Sequence, residues 1–179
     1  MDTSRKDPLL ISAKVLTVIV RILLVLGMIA VGIGLAAVAA GAAGWIPDGL
    51  VLEGNPDLAD LPFGIAALAL LAILLSIGLL YDFVTRLAQV IDTVAKGDPF
   101  IMANAVRLTR MAWLALGVQI ASTVASLLGN WAEQSMPEGT IEFESDLSFN
   151  GIVLVLVLFI LARVFREGAR MREELEGTV

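Results

Sequence analysis

Residues 82–110, DFVTRLAQVIDTVAKGDPFIMANAVRLTR, separate two long apolar segments and decide how this chain folds. Apolar residues recur at helical spacing on both sides of residues 97–100, with charged residues placed between them. Gly97 can take a positive φ and end a helix, Asp98 can cap the next helix, and Pro99 suits its first position. The stretch therefore predicts a helical hairpin with a sharp turn, and we call residues 82–110 the elbow.

The composition is that of a membrane protein. Of the 179 residues, 58% are hydrophobic and only 17% are charged, and the mean hydropathy is +0.89, whereas soluble domains are nearer 45–50% apolar and about 25% charged. Cysteine and histidine are both absent, which excludes disulfides, thiolate metal sites and an imidazole base. We therefore expect no cofactor, no bound metal and no enzymatic activity.

Four apolar runs predict four membrane spans, at about 22–43, 63–81, 111–129 and 149–162. The first run would cover about 33 Å at a rise of about 1.5 Å per residue, enough for a hydrocarbon core near 30 Å. It is longer than a typical signal-peptide core, so we expect it to be retained. The expected fold class is all-α, a polytopic four-helix bundle forming a single membrane domain over 1–179.

The predicted helices two, three and four continue beyond the bilayer. The second and third form the two arms of the elbow, and the fourth runs on without a breaker through 163–176, which we call the tail. Val164, Gly168, Met171 and Leu175 share helical spacing and predict an apolar face on the tail.

The two remaining loops, 45–62 and 130–148, contain acidic residues and no lysine or arginine. Residues 140–145 alternate polar and apolar side chains, the period of a half-buried strand. They could pair with residues 50–53 in a small extracytoplasmic β cap. Whether these acidic loops bind cations is left open.

Basic residues fall into three groups, which set the predicted orientation. Each group has four members: Arg5, Lys6, Lys14 and Arg21 at the N-terminus, Arg86, Lys96, Arg107 and Arg110 in the elbow, and Arg163, Arg166, Arg170 and Arg172 in the tail. By the positive-inside rule, both termini and the elbow are predicted to be cytoplasmic.

Small residues form a stripe at four-residue spacing in two of the predicted spans. The stripes are Gly32, Ala36, Ala40 and Gly44 in the first span and Gly117, Ala121, Ala125 and Gly129 in the third. Such stripes let helix backbones approach closely. They predict either close packing of the first and third spans within one chain or a seam between copies in a homo-oligomer.

Two motifs together carry a resemblance to a known family. The first is Gly97-Asp98-Pro99-Phe100 followed by Asn104 and Arg107-Leu108, and the second is residues 161–169, LARVFREGA, followed by Arg172-Glu173. In a four-span chain, this pairing resembles the YoaS-like bacterial membrane proteins, a domain of unknown function. Arg163 departs from that resemblance, since an acidic residue is expected at its position.

The resemblance implies a bacterial cytoplasmic (inner) membrane protein without an assigned activity. Some proteins of that kind look to be encoded beside a short helix-turn-helix regulator, which implies a membrane component of a regulatory pair. Nothing in this chain itself resembles a DNA-binding motif, so no direct contact with nucleic acid is expected.

The first functional hypothesis is a non-enzymatic regulatory or interaction protein that binds a cytoplasmic regulator through its elbow and tail. Phe100 and Leu108 would pack the hairpin, and Asn104 would bond to nearby backbone. Arginines of the two segments could pair with Asp92, Asp98 or Glu167. The candidate residues are Gly97, Asp98, Pro99, Phe100, Asn104, Arg107, Phe165, Arg166, Glu167, Gly168 and Arg170.

Other interpretations remain open. The same residues could simply close the bundle and contact the headgroups of the lipid bilayer, to which basic residues are attracted. A small transporter or channel subunit is the alternative function, with Gln119 the strongly polar side chain inside the third span. An intramembrane enzyme is disfavoured, because Ser76, Ser122 and Ser126 have no histidine or intramembrane lysine to activate them.

Overall fold

The computed structural model describes residues 8–43, 45, 63–133 and 149–176. Four helices account for nearly all of them: α1 Pro8–Ala42, α2 Phe63–Ala95, α3 Met102–Glu133 and α4 Phe149–Glu176. No strand occurs within these ranges. The predicted β cap, residues 50–53 with 140–145, lies outside the described residues.

Three of the helices are long and apolar enough to cross a membrane, namely Pro8–Ala42, Phe63–Ala95 and Met102–Trp131. Their positions agree with the first three predicted spans. The fourth predicted span, 149–162, lies within α4, where 14 residues precede Arg163. At helical rise they cover about 21 Å, less than a hydrocarbon core near 30 Å, and the crossing of α4 remains a prediction.

The helices extend well beyond the predicted spans. α2 runs past Tyr81 to Ala95 without interruption, as its apolar spacing predicts. α1 begins at Pro8, in the first helical position that proline favours. The basic segment with Lys14 and Arg21 is therefore helical as well, which adds α1 to the three helices expected to project.

The chain divides into two compact units. Within the described residues, the first unit comprises 8–25, 79–117 and 149–176, and the second comprises 26–43, 63–78 and 118–133. The first unit contains the whole elbow and the described tail. It also contains every lysine and arginine that the structure describes.

The core of the first unit lies between α3 and α4. Met111 and Ala112 are almost completely buried, and the side chain of Trp113 meets Phe159 edge-on, with 5.5 Å between ring centroids. The buried cluster consists of Leu108, Met111, Ala112, Leu158 and Ala162, with Phe83, Leu87, Ala115, Phe159 and Phe165 packed against it. Two alanines at the contact allow the two helices to approach closely.

In the same unit, α1 packs antiparallel to α2. Lys14 Nζ lies 2.6 Å from Asp92 Oδ1, and the Arg21 guanidinium lies 5.7 Å from the centre of the Tyr81 ring, within reach of a cation–π interaction. The hydrogen bond from Lys14 lowers the pKa of Asp92, and the positive charges of Lys14 and Lys96 act in the same direction. The start of α1 is thereby fixed beside the end of α2.

In the second unit, the stripe predictions are only partly correct. Ala121 and Ala125 are buried on α3, but Ala36 is exposed and no atom of the described residues lies within 4 Å of a Cβ built on Gly32. Close packing of the first span through these two positions is therefore wrong. Gly34, two residues along, lies against Leu70 of α2 instead. Gly44 is outside the described residues, and a homo-oligomer seam remains a prediction.

Candidate functional site

The turn of the elbow is a helix-ending motif built around Gly97. Its φ is +84°, a left-handed conformation that glycine adopts without steric cost. The backbone N–H of Gly97 donates to the carbonyl of Val94, at 3.0 Å, and that of Asp98 donates to the carbonyl of Thr93, at 3.1 Å. This pair of bonds defines a Schellman motif, so the prediction that Gly97 ends the helix is confirmed.

The predicted capping role of Asp98 is wrong, because α3 begins at Met102. The backbone N–H of Asp98 closes α2, and its carboxylate accepts a 2.7 Å hydrogen bond from Arg172. The carboxylate is thus directed at the tail. Pro99 accordingly lies in the turn, and the first backbone bond at the start of α3 runs from Asn104 N–H to the carbonyl of Ile101.

Asn104 joins the two arms of the elbow and is completely buried, with 0% of its surface exposed. Its Nδ2 donates to Thr93 Oγ1 at 2.7 Å and to the Pro99 carbonyl at 2.8 Å. Its Oδ1 accepts a 2.7 Å hydrogen bond from Arg107. The Pro99 contact confirms the predicted hydrogen bond from Asn104 to nearby backbone. Because the buried amide of Asn104 has hydrogen-bond partners for both its nitrogen and its oxygen, it holds the two arms of the elbow together.

The partners of Asn104 extend the network along both arms. The Thr93 hydroxyl donates to the carbonyl of Val90 at 2.7 Å, which leaves its oxygen free to accept from the amide. Arg107 Nε donates to Gln89 Oε1 at 3.2 Å. Thr93 was not among the predicted site residues, because nothing in its local sequence distinguishes it until the opposite arm lies beside it.

Phe100 joins the elbow to the tail. Its ring lies 5.2 Å from that of Phe165, tilted by 42°. A Cβ atom built on Gly168 would lie only 2.7 Å from Phe100 Cδ1, a separation that real structures do not tolerate. The missing side chain of Gly168 leaves the space that the Phe100 ring occupies, and a side chain added there would force the ring to shift.

The tail uses a face that differs in part from the one predicted. Phe165, Gly168 and Arg172 contact the elbow, and Ala169 beside them is buried. Val164, Met171 and Leu175, which share the predicted apolar face with Gly168, are exposed. Gly168 is the residue of the predicted apolar face that meets the elbow, where it contacts Phe100.

The ion pairs agree in part with those expected. Arg170 pairs with Glu167, at 3.1 Å, as predicted, and also with Glu174, at 3.3 Å, within the tail. Asp98 pairs with an arginine of the tail, but that arginine is Arg172, which the candidate set did not contain. Arg172 could have been found from its spacing, since it follows Gly168 by four residues on the same helix face.

The chemistry of this elbow–tail contact is that of packing and hydrogen bonding. Among the described residues, no group of three or more histidine, cysteine, aspartate or glutamate side chains is placed to hold a metal ion. Several apolar side chains of the elbow and tail remain at least partly exposed: Val94, Phe100, Met102, Val106, Val164, Met171 and Leu175. The contact therefore presents an apolar surface next to charged groups.

A family model described as "Protein of unknown function (DUF2975)" matches residues 51–179. The match covers more than two thirds of the chain and includes the elbow and the tail. No curated protein matches the chain. No solved structure matches it either. The match confirms the prediction, made from the two motifs, that the chain resembles a family of unknown function. The likeness to YoaS-like proteins remains a prediction.

Proposed function

The chain belongs to the DUF2975 family of proteins of unknown function, and we propose that it is a non-enzymatic regulatory membrane protein that binds a cytoplasmic protein. The binding surface is formed jointly by the elbow and the tail. The observation that carries this proposal is the packing of Phe100 on Gly168 and Phe165. Two segments separated by more than 50 residues in sequence form one surface through that contact.

Exposed apolar side chains on this surface favour binding to a partner over simple closure of the bundle. Met102 and Val106 on the elbow, and Val164 and Met171 on the tail, are each at least 40% exposed. All four lie outside the predicted spans. Apolar groups bordered by charges are typical of protein interaction sites, and the resemblance implies that the partner is a cytoplasmic regulator.

The two segments are also held rigidly, which suits recognition. Asn104 clamps the arms of the elbow, and the Asp98–Arg172 pair ties the turn to the tail. A preformed surface loses less conformational entropy on binding than a flexible one. A change that separates the tail from the elbow should therefore weaken partner binding even when the exposed apolar side chains are left unaltered.

In vivo photocrosslinking tests the proposal. A photoreactive residue replaces Met102, which is exposed on the elbow, and a matched one replaces Ile160, which is exposed within the predicted fourth span. We expect a discrete protein adduct from position 102 and lipid adducts from position 160. The adduct at 102 should be lost in an Asp98→Arg background, where repulsion from Arg172 opens the contact.

A protein adduct at 102 that persists unchanged in the Asp98→Arg background would mean that the joint surface is not what the partner binds. Equal protein adducts from positions 102 and 160 would contradict the proposal, because they would report non-specific encounters. Membrane insertion and expression of each variant serve as controls.

A small transporter or channel subunit is the second candidate. It is favoured by polar groups within the predicted spans: the Ser76 hydroxyl is buried without a hydrogen-bond partner among the described residues, and Gln119 lies on α3. Buried polar groups in membranes often mark transport pathways. Solute flux into proteoliposomes that is abolished by Gln119→Leu would favour this function over protein binding.

A further inference from the structure

A cleft of about 360 Å³ lies between α3 and α4 in the first unit, apart from the contact between Phe100 and the tail. It is lined by Thr109, Phe159, Ala162, Arg163, Arg166 and Glu167. Phe159 and Ala162 belong to the apolar core, whereas the other four side chains are polar. The cleft thus has an apolar floor and a charged rim.

Two guanidinium groups dominate the charge of the rim. Arg163 and Arg166 are both exposed, and Arg166 reaches the Thr109 oxygen only at 3.5 Å, the outer limit of a hydrogen bond. The remaining charged group, Glu167, is paired with Arg170 at 3.1 Å. The rim therefore presents two arginines whose donors are available to an anion, and arginine forks match phosphate oxygens well.

The apolar side of the cleft continues onto the outer surface of the helices. Trp113, which packs edge-on against Phe159, is 61% exposed, and Ile160 is 63% exposed. Arg163 is the first charged residue after the predicted fourth span, so the cleft lies at the predicted inner boundary of the membrane. Tryptophan and arginine at this depth are typical of membrane interfaces.

We propose that this cleft binds the headgroup of an anionic phospholipid. Arg163 and Arg166 contact the headgroup phosphate, and an acyl chain lies along Phe159 and Ile160. A free phosphate ion would use the arginines alone and would leave the apolar side of the cleft uncovered, so the geometry favours the lipid. The inference depends on the predicted membrane boundary and needs no protein partner.

Thermal unfolding of the full chain in neutral detergent tests the inference. Phosphatidylglycerol, phosphatidylcholine with the same acyl chains, and inorganic phosphate are titrated separately. We expect a saturable stabilisation by phosphatidylglycerol only. Each arginine near a membrane surface contributes on the order of 1 kcal/mol, so Arg163→Gln with Arg166→Gln should weaken the apparent affinity about tenfold to thirtyfold.

The matched control is Lys96→Gln with Arg110→Gln, which removes the same charge from exposed side chains that do not line the cleft. It should retain the affinity for phosphatidylglycerol within about threefold. Arg163→Lys with Arg166→Lys keeps the charge and is expected to retain most of the binding, which guards against a variant that merely misfolds. Equal losses in the cleft variant and the control, or equal stabilisation by inorganic phosphate or phosphatidylcholine, would overturn the lipid site.

Discussion

Phe100 lies so close over Gly168 that its Cδ1 atom is 2.7 Å from the position of a Cβ on that glycine. The elbow and the tail therefore have complementary shapes at this contact. The Phe100 ring of the elbow fills the space that a side chain at position 168 of the tail would occupy. Neither residue alone reveals this relationship, because Phe100 is 43% exposed and Gly168 is an ordinary helix position.

Gly168→Ala is expected to destabilise the protein even though alanine favours helices by about 1 kcal/mol over glycine. Overpacking typically costs about 1–3 kcal/mol, so the midpoint of thermal unfolding in detergent should fall. Gly78→Ala is the matched control, since no atom lies within 4 Å of its added Cβ, and it should leave the midpoint unchanged or higher. Phe100→Ala should suppress the effect of Gly168→Ala, and additive effects of the two changes would contradict the contact.

The Asp98–Arg172 pair can be tested by crosslinking, because the chain has no cysteine of its own. Asp98→Cys with Arg172→Cys should give an intramolecular crosslink with a short bifunctional maleimide in intact membranes. Asp98→Cys with Glu174→Cys is the control, since Glu174 pairs with Arg170 within the tail, and should crosslink several-fold less. Equal yields from both pairs would show that the tail does not hold this register.

Replacing Asn104 by alanine should be the most destabilising single change in the elbow. It leaves the Pro99 carbonyl and one donor of Arg107 without their partner, and each buried unsatisfied group costs about 1–3 kcal/mol. Gln89→Ala removes an exposed partner of the same arginine and should change stability by less than about 0.5 kcal/mol. The rate of limited proteolysis at the turn compares the two variants. Equal cleavage rates for Asn104→Ala and Gln89→Ala would contradict the role of Asn104 in holding the two arms together.

The ion pair between Lys14 and Asp92 predicts a dependence on pH. Because the hydrogen bond from Lys14 lowers the pKa of Asp92 from its ordinary 3.8, the pair stabilises the folded state fully above that value. The stabilisation is lost as the pH falls through the lower pKa of the folded state. Lys14→Gln should therefore lower the unfolding midpoint near pH 7 and have a smaller effect near pH 3.

The same pair should show coupling in a double-mutant cycle. Asp92→Asn combined with Lys14→Gln should cost little more than either change alone, and added salt should reduce the cost of each, because both groups are about half exposed. An effect of Lys14→Gln that is the same at pH 3 and pH 7 would assign it to packing of α1 and not to the charge pair.

The predicted orientation follows from charge and is tested by reporter fusions. Fusions at Gly97 and Gly177 should report the same, cytoplasmic side of the membrane. If the two fusions reported opposite sides, the chain would cross the membrane an odd number of times between Gly97 and Gly177. With α3 as one crossing, α4 would then not span the membrane.

Much of the elbow could be predicted from the sequence. Helical spacing and the absence of a breaker predicted that α2 continues past Tyr81, and Gly97 marked its end. The sequence allowed two roles for Asp98, a helix cap or a partner for an arginine, and could not decide between them. The arginine that it binds, Arg172, is 74 residues away along the chain, and only the packing of the tail on the elbow brings the two side chains together.

The sequence by itself determined the class of this protein, since apolar runs of this length are stable as helices in a membrane environment and few other structures satisfy their backbone groups there. It also determined the position of the turn, through the backbone freedom of Gly97. Only the tertiary structure decided which face of the tail meets the elbow and which residues join them. Those choices depend on shape and distance between segments, as in the placement of the Phe100 ring over Gly168, and side-chain spacing within one helix cannot specify them.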